Sequence, residues 1–413
     1  VSGVSEEQMR ERRIKKIDEL MNAGIDPYPA NFRNRITIRT VKFYTSSIPE
    51  LIAIAGRVTS IRYHGKITFI DIADSTGSIE IHCKEENIGF ICNSLATGDM
   101  IGIEGYKKNH PKDEHEFIEA IEITILSKVV RDLPNIIMND DFRFRHREVE
   151  MAINKQTRDL FILRSNIIKS IRNFLELSGY LEVETPILQP VYGGATARPF
   201  VTHHNALSEN FYLRISSELY LKRYLVGGFD KVFHIGKVFR NEGISINHSP
   251  EFSMVEFFAT CVDHREMKVF TQQLIEHVFY SCNDSDKIPD LNFVGSLSSD
   301  DWPLSRKSKD NPDISEAWEL YIDGVEIASG ANDLNDPLEQ AKRWNEGTSN
   351  RVVDENNKDE IFEEANPYDK SYIESLEYGM LPTAGVGIGI DRLVMLLTKS
   401  KSIREVTAFP TMR

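Results

Sequence analysis

The stretch Phe239-Arg-Asn-Glu-Gly-Ile-Ser-Ile-Asn-His-Ser-Pro-Glu-Phe252 gathers Arg240, Glu242, Glu251 and Phe252 in one short segment. An arginine fork holds a phosphate or carboxylate through two parallel hydrogen bonds, a carboxylate accepts from an amine, and an aromatic ring covers a flat base. Those are the parts of an ATP site. Val232-Phe-His-Ile235 leads in and Met254-Val-Glu-Phe-Phe258 leads out, both of strand character, and Gly243 with Ser249-Pro250 predicts a reversing loop between them. On such a hairpin Arg240 and Glu242 sit at one strand end, with Glu251 and Phe252 near the other. The competing reading is a surface hairpin whose charges are merely solvated.

Two further segments carry matching chemistry. Trp318-Glu-Leu-Tyr-Ile322 and Val325-Glu-Ile327 predict a hairpin about Asp323-Gly324 on which Glu319 and Glu326 face one another. Exposed glutamates are usually solvated, but two of them beside a polyphosphate suit Mg2+, which takes few carboxylates and keeps its waters. Gly385-Val-Gly-Ile-Gly-Ile-Asp-Arg-Leu-Val-Met-Leu-Leu397 predicts a small-residue strand entering an apolar helix. Arg392 falls near the helix start, where backbone N–H groups help to hold an anion.

The elements that must position these groups belong to a chain of 413 residues, long enough for two or three domains. With 41% hydrophobic and 27% charged residues, its composition is that of an ordinary globular protein. No apolar run reaches the ~18 residues of a membrane span. The N-terminal residues lack the apolar core of a signal peptide, and Cys83, Cys92, Cys261 and Cys282 have no zinc-type spacing. A cytoplasmic protein with reduced, buried thiols and no membrane partner is the expectation. The net charge of −14 argues against nucleic-acid binding by bulk charge and leaves local basic surfaces open.

Residues 1–48 read as a helix over Glu6–Met21 and an extension; the basic cluster from Arg10 to Lys16 is either a solvated face or an arm for RNA phosphates. Over 49–130, five short apolar or alternating runs (52–58, 68–72, 78–82, 100–104 and 119–125) predict a small barrel of oligonucleotide-binding type. Phe69 is its stacking candidate, with Arg57, Arg62 and Lys66 nearby; purely structural roles for these residues are the alternative. Residues 131–150 read as a linker with Arg143, Arg145, His146 and Arg147 crowded at its end. The rest, 151–413, begins with an amphipathic helix over Lys155–Ser178 and a strand over Leu181–Pro186. That helix serves either dimerisation or intrachain packing.

With these pieces together the chain resembles a class II aminoacyl-tRNA synthetase, and within that class the lysyl-tRNA synthetases. Gly179–Pro186, Phe239–Phe252 and Gly387–Arg392 are similar to the three class motifs. Gly193-Gly-Ala-Thr-Ala-Arg-Pro-Phe200 and Leu213-Arg-Ile-Ser-Ser-Glu-Leu-Tyr-Leu-Lys-Arg223 are similar to lysyl-type wording. The implied fold is α+β: a five-stranded anticodon-binding barrel, then a catalytic domain with a mixed, mainly antiparallel sheet flanked by helices. The resemblance further implies that Arg240 grips the α-phosphate, Glu242 binds the adenine amino group, and Phe252 and Arg392 sandwich the ring, with His248 also in the ATP site. Glu319 and Glu326 would hold Mg2+. Gly194, Glu218 and Glu256 would surround the α-amino end of the amino acid. The implied activity is ATP-dependent activation of lysine and its transfer to tRNA-Lys by a homodimer.

Several positions depart from the family. Ser329, Ala331 and Asp333 stand where lysyl enzymes usually have Asn, Phe and Glu, and Phe258 stands for a tyrosine. All four fall on the side-chain pocket, which is therefore expected to select a cation but to be wider. Glu80 replaces a glutamine that reads the middle anticodon base, and the segment from Cys282 to Trp302 is shorter than the usual insertion. Two other readings follow from these departures: a paralogue using another cationic amino acid or a different acceptor, and a non-catalytic RNA-binding or regulatory protein on the same scaffold. Retention of Arg240, Glu242, Glu319, Glu326 and Arg392 argues against the latter.

Overall fold

The computed structural model describes residues 5–43, 51–110, 115–134, 136–282, 288–349 and 367–412, without the side chains of 85–88 and 347–349. Two compact units divide the chain, Val1–Ile136 and Ile137–Arg413.

In the first unit, α1 (Glu6–Asn22) and α2 (Ile38–Phe43) precede β1 (Leu51–His64), β2 (Ile67–Ala73) and β3 (Ser78–Lys84). Then come α3 (Glu85–Ser94), β4 (Met100–Asn109) and β5 (Glu116–Ser127). Strict alternation drives the strands: Ile70 and Ile72, Ile79 and Ile81, Ile101 and Ile103, and Ile123 and Ile125 all point inward and are buried. β1 pairs with both β2 and β4, β2 with β3, β3 with β5 and β5 with β4, so the sheet closes into a five-stranded barrel without a free edge. Leu20 of α1, Ile38 and Val41 of α2 and Cys92 of α3 complete its core. The sequence reading had no helix at α3.

The second unit opens with α4 (Asp140–Arg145) and α5 (Arg147–Ile153), two short helices within the segment read as a linker. Arg147 is buried there and donates to the carbonyls of Arg404 (2.5 Å) and Ala408 (3.2 Å). Next come α6 (Lys155–Leu177), β6 (Leu181–Glu182), β7 (Leu188–Gln189), β8 (Val201–His204), β9 (Glu209–Leu213) and α7 (Glu218–Val226). β10 (Lys231–Phe239), β11 (Glu251–Thr260), α8 (His264–Cys282), β12 (Asn292–Gly295), β13 (Ala317–Ile322) and β14 (Val325–Asn332) follow. The unit ends with α9 (Pro337–Ser349), α10 (Lys370–Glu377), β15 (Thr383–Gly389), α11 (Ile390–Thr398) and α12 (Ile403–Val406). Its main sheet runs β12-β13-β14-β15-β11-β10-β6 among the described residues, antiparallel except where β10 meets β6. A small sheet, β7-β9-β8, stands beside it. Helices α6, α8 and α11 cover one apolar layer of the main sheet, and α7, α9 and α10 contribute to another around Phe258 and Tyr372.

Two expectations change. The strand read over Leu181–Pro186 is only two residues long, Leu181–Glu182, and after Val183 N donates to Phe233 O (2.9 Å) the chain leaves β10. The cysteines are free, but only Cys83 and Cys92 are buried; Cys261 is exposed and Cys282 partly so.

Candidate active site

Alternate residues of β11 lay out the site. Val255, Phe257 and Ala259 enter the core, so Phe252, Met254, Glu256 and Phe258 project from the opposite face. At ~3.4 Å per residue that row is about 20 Å long. Across the ladder, Met254 pairs with Gly389, Glu256 with Gly387 and Phe258 with Gly385. On the next strand Ser329 pairs with Gly387 and Ala331 with Gly385. Small residues thus leave the floor clear, and two adjoining cavities open above it, sharing Arg240, Met254, Ser329 and Gly387 as a common wall.

Glu242, His248, Phe252, Glu326 and Arg392 line the first cavity with Arg240. β10 ends at Phe239 and β11 begins at Glu251, which makes the predicted hairpin. Its arginine is anchored through the backbone, since the Arg240 N–H donates to Pro250 O (2.8 Å). The guanidinium lies 5.2 Å from the centre of the Phe252 ring and donates to Ile215 O at 3.4 Å. Burial pushes its pKa below the usual arginine range, against the pull of Glu242, Glu256 and Glu326; the group is still a cation at neutral pH. From the other side, Arg392 donates to Glu326 O (2.8 Å), Glu326 Oε2 (3.1 Å) and His248 Nε2 (3.3 Å). Asp391 pins the start of α11 to β11 by accepting from Ser253 N (2.6 Å) and pairing with Arg164 (2.6 Å).

Gly194, Glu218, Glu256, Phe258, Ser329, Ala331 and Asp333 all line the second cavity. Gly194 has φ +89°, and a Cβ there would come within 2.8 Å of Ser216 Oγ and 3.1 Å of Glu218 Cβ, so only glycine allows this close approach. Glu256 is buried and accepts from Ser216 Oγ and Ser217 N, both at 2.5 Å. Asp333 and Glu218 share one partner that the sequence reading missed. Lys222 is fully buried, with Nζ 2.7 Å from Asp333 Oδ1, 2.5 Å from Glu218 Oε1 and 5.8 Å from the centre of the Phe258 ring. The signal was present in the sequence: Glu218 and Lys222 are four apart on one helix. Burial and the neighbouring Glu218 raise the pKa of Asp333 to about 7 despite Lys222. Burial also raises that of Glu218, while the two carboxylates overcome burial to hold Lys222 above the usual lysine range. Asp333 Oδ2 is buried with no hydrogen-bond partner among the described residues.

The metal candidates need a correction of register. The Asp323-Gly324 turn pairs Ile322 with Val325 and Tyr321 with Glu326, and a register shift beyond Tyr321 sets Glu319 opposite Ser329, so the two glutamates are not direct partners. They still share a neighbourhood, for the Tyr321 hydroxyl donates to Glu319 Oε2 (2.9 Å) and both carboxylates raise its pKa. One oxygen of each glutamate is used internally, leaving Oε1 of each free of hydrogen bonds among the described residues. Glu326 lines the first cavity and Glu319 does not; as two hard oxygen donors in one neighbourhood they suit Mg2+, which fills the rest of its octahedron with water and phosphate. Among the described residues no cluster of three or more His, Cys, Asp or Glu is placed to bind a metal by itself.

On the barrel, register places Arg62 opposite Phe69, Asp71 opposite Glu80, Phe69 opposite His82 and Glu80 opposite Phe117. Glu80 accepts from Arg62 and lies against His82 Nε2, each at 2.6 Å. His82 stacks on Phe117 with centroids 3.7 Å apart and meets Phe69 edge-on. Arg57 instead donates to Gly98 O (2.9 Å). His82 and Phe117 were missed, although two-residue periodicity already puts His82 on the face of Glu80.

Comparison with known proteins finds relatives for both parts of the chain. A family model described as tRNA synthetases class II (D, K and N) matches residues 139–300 and 290–413, and one described as OB-fold nucleic acid binding domain matches 52–128. The chain is 36% identical to a lysine–tRNA ligase of Magnetococcus marinus over 501 aligned positions, covering 100% of this chain and 98% of the relative. It is 36% identical to one from Carboxydothermus hydrogenoformans (97% of each chain) and 37% identical to one from Fervidobacterium nodosum (98% and 94%).

Proposed function

The chain belongs to the class II tRNA synthetases (D, K and N), and from that premise we propose that it activates lysine with ATP and transfers it to tRNA. The observation that carries this reading is the wall shared by the two cavities. Arg240 borders both, so a nucleotide seated on Phe252 and an amino acid seated over Glu256 would meet at its guanidinium.

A carboxylate oxygen of lysine attacks the α-phosphorus, the bond from that phosphorus to the β-bridging oxygen breaks, and pyrophosphate leaves. The 3′-terminal hydroxyl of tRNA then attacks the acyl carbon and AMP departs. No protein nucleophile is required. Arg240 aligns the two reactants and offsets charge on the phosphorus. Phe252 and Arg392 hold the adenine between them, Glu242 accepts from its amino group, and His248 steadies Arg392. Gly194, Glu218 and Glu256 receive the α-amino end, and Asp333 receives the ε-ammonium, with Phe258, Ser329 and Ala331 forming the pocket walls. Glu319 and Glu326 would hold Mg2+, which would supply charge neutralisation at the phosphates.

For the acceptor we assign tRNA-Lys, read on the barrel face of Arg62, Phe69 and Glu80. Arg57 has a structural role, since its guanidinium is committed to Gly98. The proposed assembly is a homodimer, supported by exposed Leu177, Leu181, Ile187 and Leu188 around the end of α6. A cytoplasmic location goes with this function; no helix among the described residues is long and apolar enough to cross a membrane.

Pyrophosphate exchange into ATP across a panel of amino acids tests the reading. Lysine-dependent exchange is expected. Exchange only with a longer cationic amino acid favours a paralogue, the reading to which Ser329 and Ala331 lend weight. A folded protein with no exchange for any amino acid sinks both.

A further inference from the structure

Lys222 is an anomaly in a cavity assigned to a cationic substrate. It is fully buried, it does not line the cavity, and its ammonium lies behind the wall formed by Glu218, Phe258 and Asp333. Its donors are used: one goes to Glu218, one to Asp333, and the ammonium also faces the Phe258 ring. A buried lysine is retained at a desolvation cost unless its partners are well placed. These partners are two carboxylates on separate elements, one in α7 and one just beyond β14. Each gives Lys222 a single oxygen, and the second oxygen of Asp333 is left buried with no hydrogen-bond partner among the described residues.

We propose that Lys222 is a positioning residue for amino-acid recognition: it holds Glu218 and Asp333 side by side as carboxylates, each turning one oxygen to the cavity. This inference rests on the reading of the cavity as a lysine site and adds a residue to it. Glu218 then meets the α-ammonium and Asp333 the ε-ammonium, two cations that would otherwise compete for one proton-sharing acid pair. Removal of the internal cation leaves two carboxylates close together in a dry site, and one of them takes up a proton. Lysine then finds one charge where it needs two. The charged and titratable groups facing this pair are Lys222 on α7, Glu256 on β11 and the buried Tyr372 phenol on α10.

The experiment measures the pH profile of the lysine KM by pyrophosphate exchange in the full chain, comparing wild type, Lys222→Met and Lys222→Arg, with the ATP KM and thermal melting alongside. Lysine-dependent exchange by the wild type is established first; its absence removes the proposed function itself, whereas everything that follows bears on Lys222 alone. Lys222→Met should raise the lysine KM at least about tenfold near pH 7.5, leave the ATP KM within about twofold, and move the profile up by about one pH unit. Lys222→Arg, which keeps the charge, should retain the wild-type profile. A Met variant with an unmoved profile, or with lysine and ATP KM raised alike, overturns the proposal. Should the Met variant fail to fold, Lys222→Arg decides: a wild-type profile supports the proposal and a shifted one overturns it. Failure of both to fold makes Lys222 a packing residue and also overturns it.

Discussion

The two cavities on the β11 face treat charge in opposite ways. In the nucleotide cavity some charged groups stay open to solvent: Glu242 is exposed and Arg392 meets a partly exposed glutamate, although Asp391 is buried against Ser253 and Arg164. In the amino-acid cavity three of the four lining carboxylates have internal partners, Glu256 in Ser216 and Ser217, and Glu218 and Asp333 in Lys222, while the fourth, Asp301, is exposed. The difference follows from the ligands. A triphosphate brings strong charge and its own metal, so the protein needs only to offer groups that close around it. Lysine brings two ammoniums that differ little, so selectivity depends on acids fixed before it arrives. Preorganisation is concentrated where recognition is harder.

The largest break in that contrast comes from Arg240, the one cation shared by both cavities. Arg240→Ala should slow adenylate formation by about 10³-fold, on the order of 4 kcal/mol, because the group neutralises charge that develops only in the transition state. Its guanidinium makes one long hydrogen bond and one ring contact, so the melting temperature should hardly change. Wild-type exchange rates in the folded variant would remove Arg240 from the reaction.

A smaller effect, confined to one side, is expected at Gly385. A Cβ built there falls 2.0 Å from Phe258 Cε1, so Gly385→Ala must displace that ring, which lines the amino-acid cavity and lies beside Lys222. Overpacking of this kind costs about 1–3 kcal/mol. The lysine KM should rise while the ATP KM stays put, and Phe258→Leu in the same chain should recover most of the loss. Equal changes in both KM values would mean that the strain spreads through β15 and that the cavities are not separable.

The same contrast explains what could be read from the residues alone. Arg240, Glu242, His248 and Phe252 lie in one continuous segment whose hairpin is announced by its turn residues, so the nucleotide end was legible. The barrel was legible because its isoleucines alternate. The amino-acid cavity is assembled from Gly194, Glu218, Glu256, Asp333 and Gly385, which only the sheet order brings together. Its residue identities were found through family resemblance, but the partner of Asp333 was not. Glu319 and Glu326 show the limit at the local scale: the hairpin is where it was expected, but its two-residue turn pairs Glu326 with Tyr321 and leaves Glu319 opposite Ser329. In the barrel, Phe117 faces Glu80 through a parallel β3–β5 pairing between strands distant in the chain.

The smallest effect expected is one of pH, and it separates the cavities without any substitution. Burial lifts the Asp333 carboxyl to about 7, with Glu218 adding to the rise and Lys222 opposing it. A carboxyl raised in this way is mostly protonated at pH 6 and mostly ionised at pH 8. Lysine requires the ionised form to pair with its ε-ammonium, so its binding releases a proton and strengthens as pH rises. The ionised fraction grows from about one tenth to about nine tenths over that interval, so the lysine KM should fall about tenfold between pH 6 and pH 8. The ATP KM is measured alongside, so that a change confined to lysine is told apart from a general loss of activity. An uncharged isostere such as norleucine, where it binds at all, should show the reverse trend, since it gains nothing from an ionised Asp333. A lysine KM flat across the interval would place the ε-ammonium elsewhere than at Asp333, and the contrast between a charge-committed pocket and an open nucleotide site would lose its central residue.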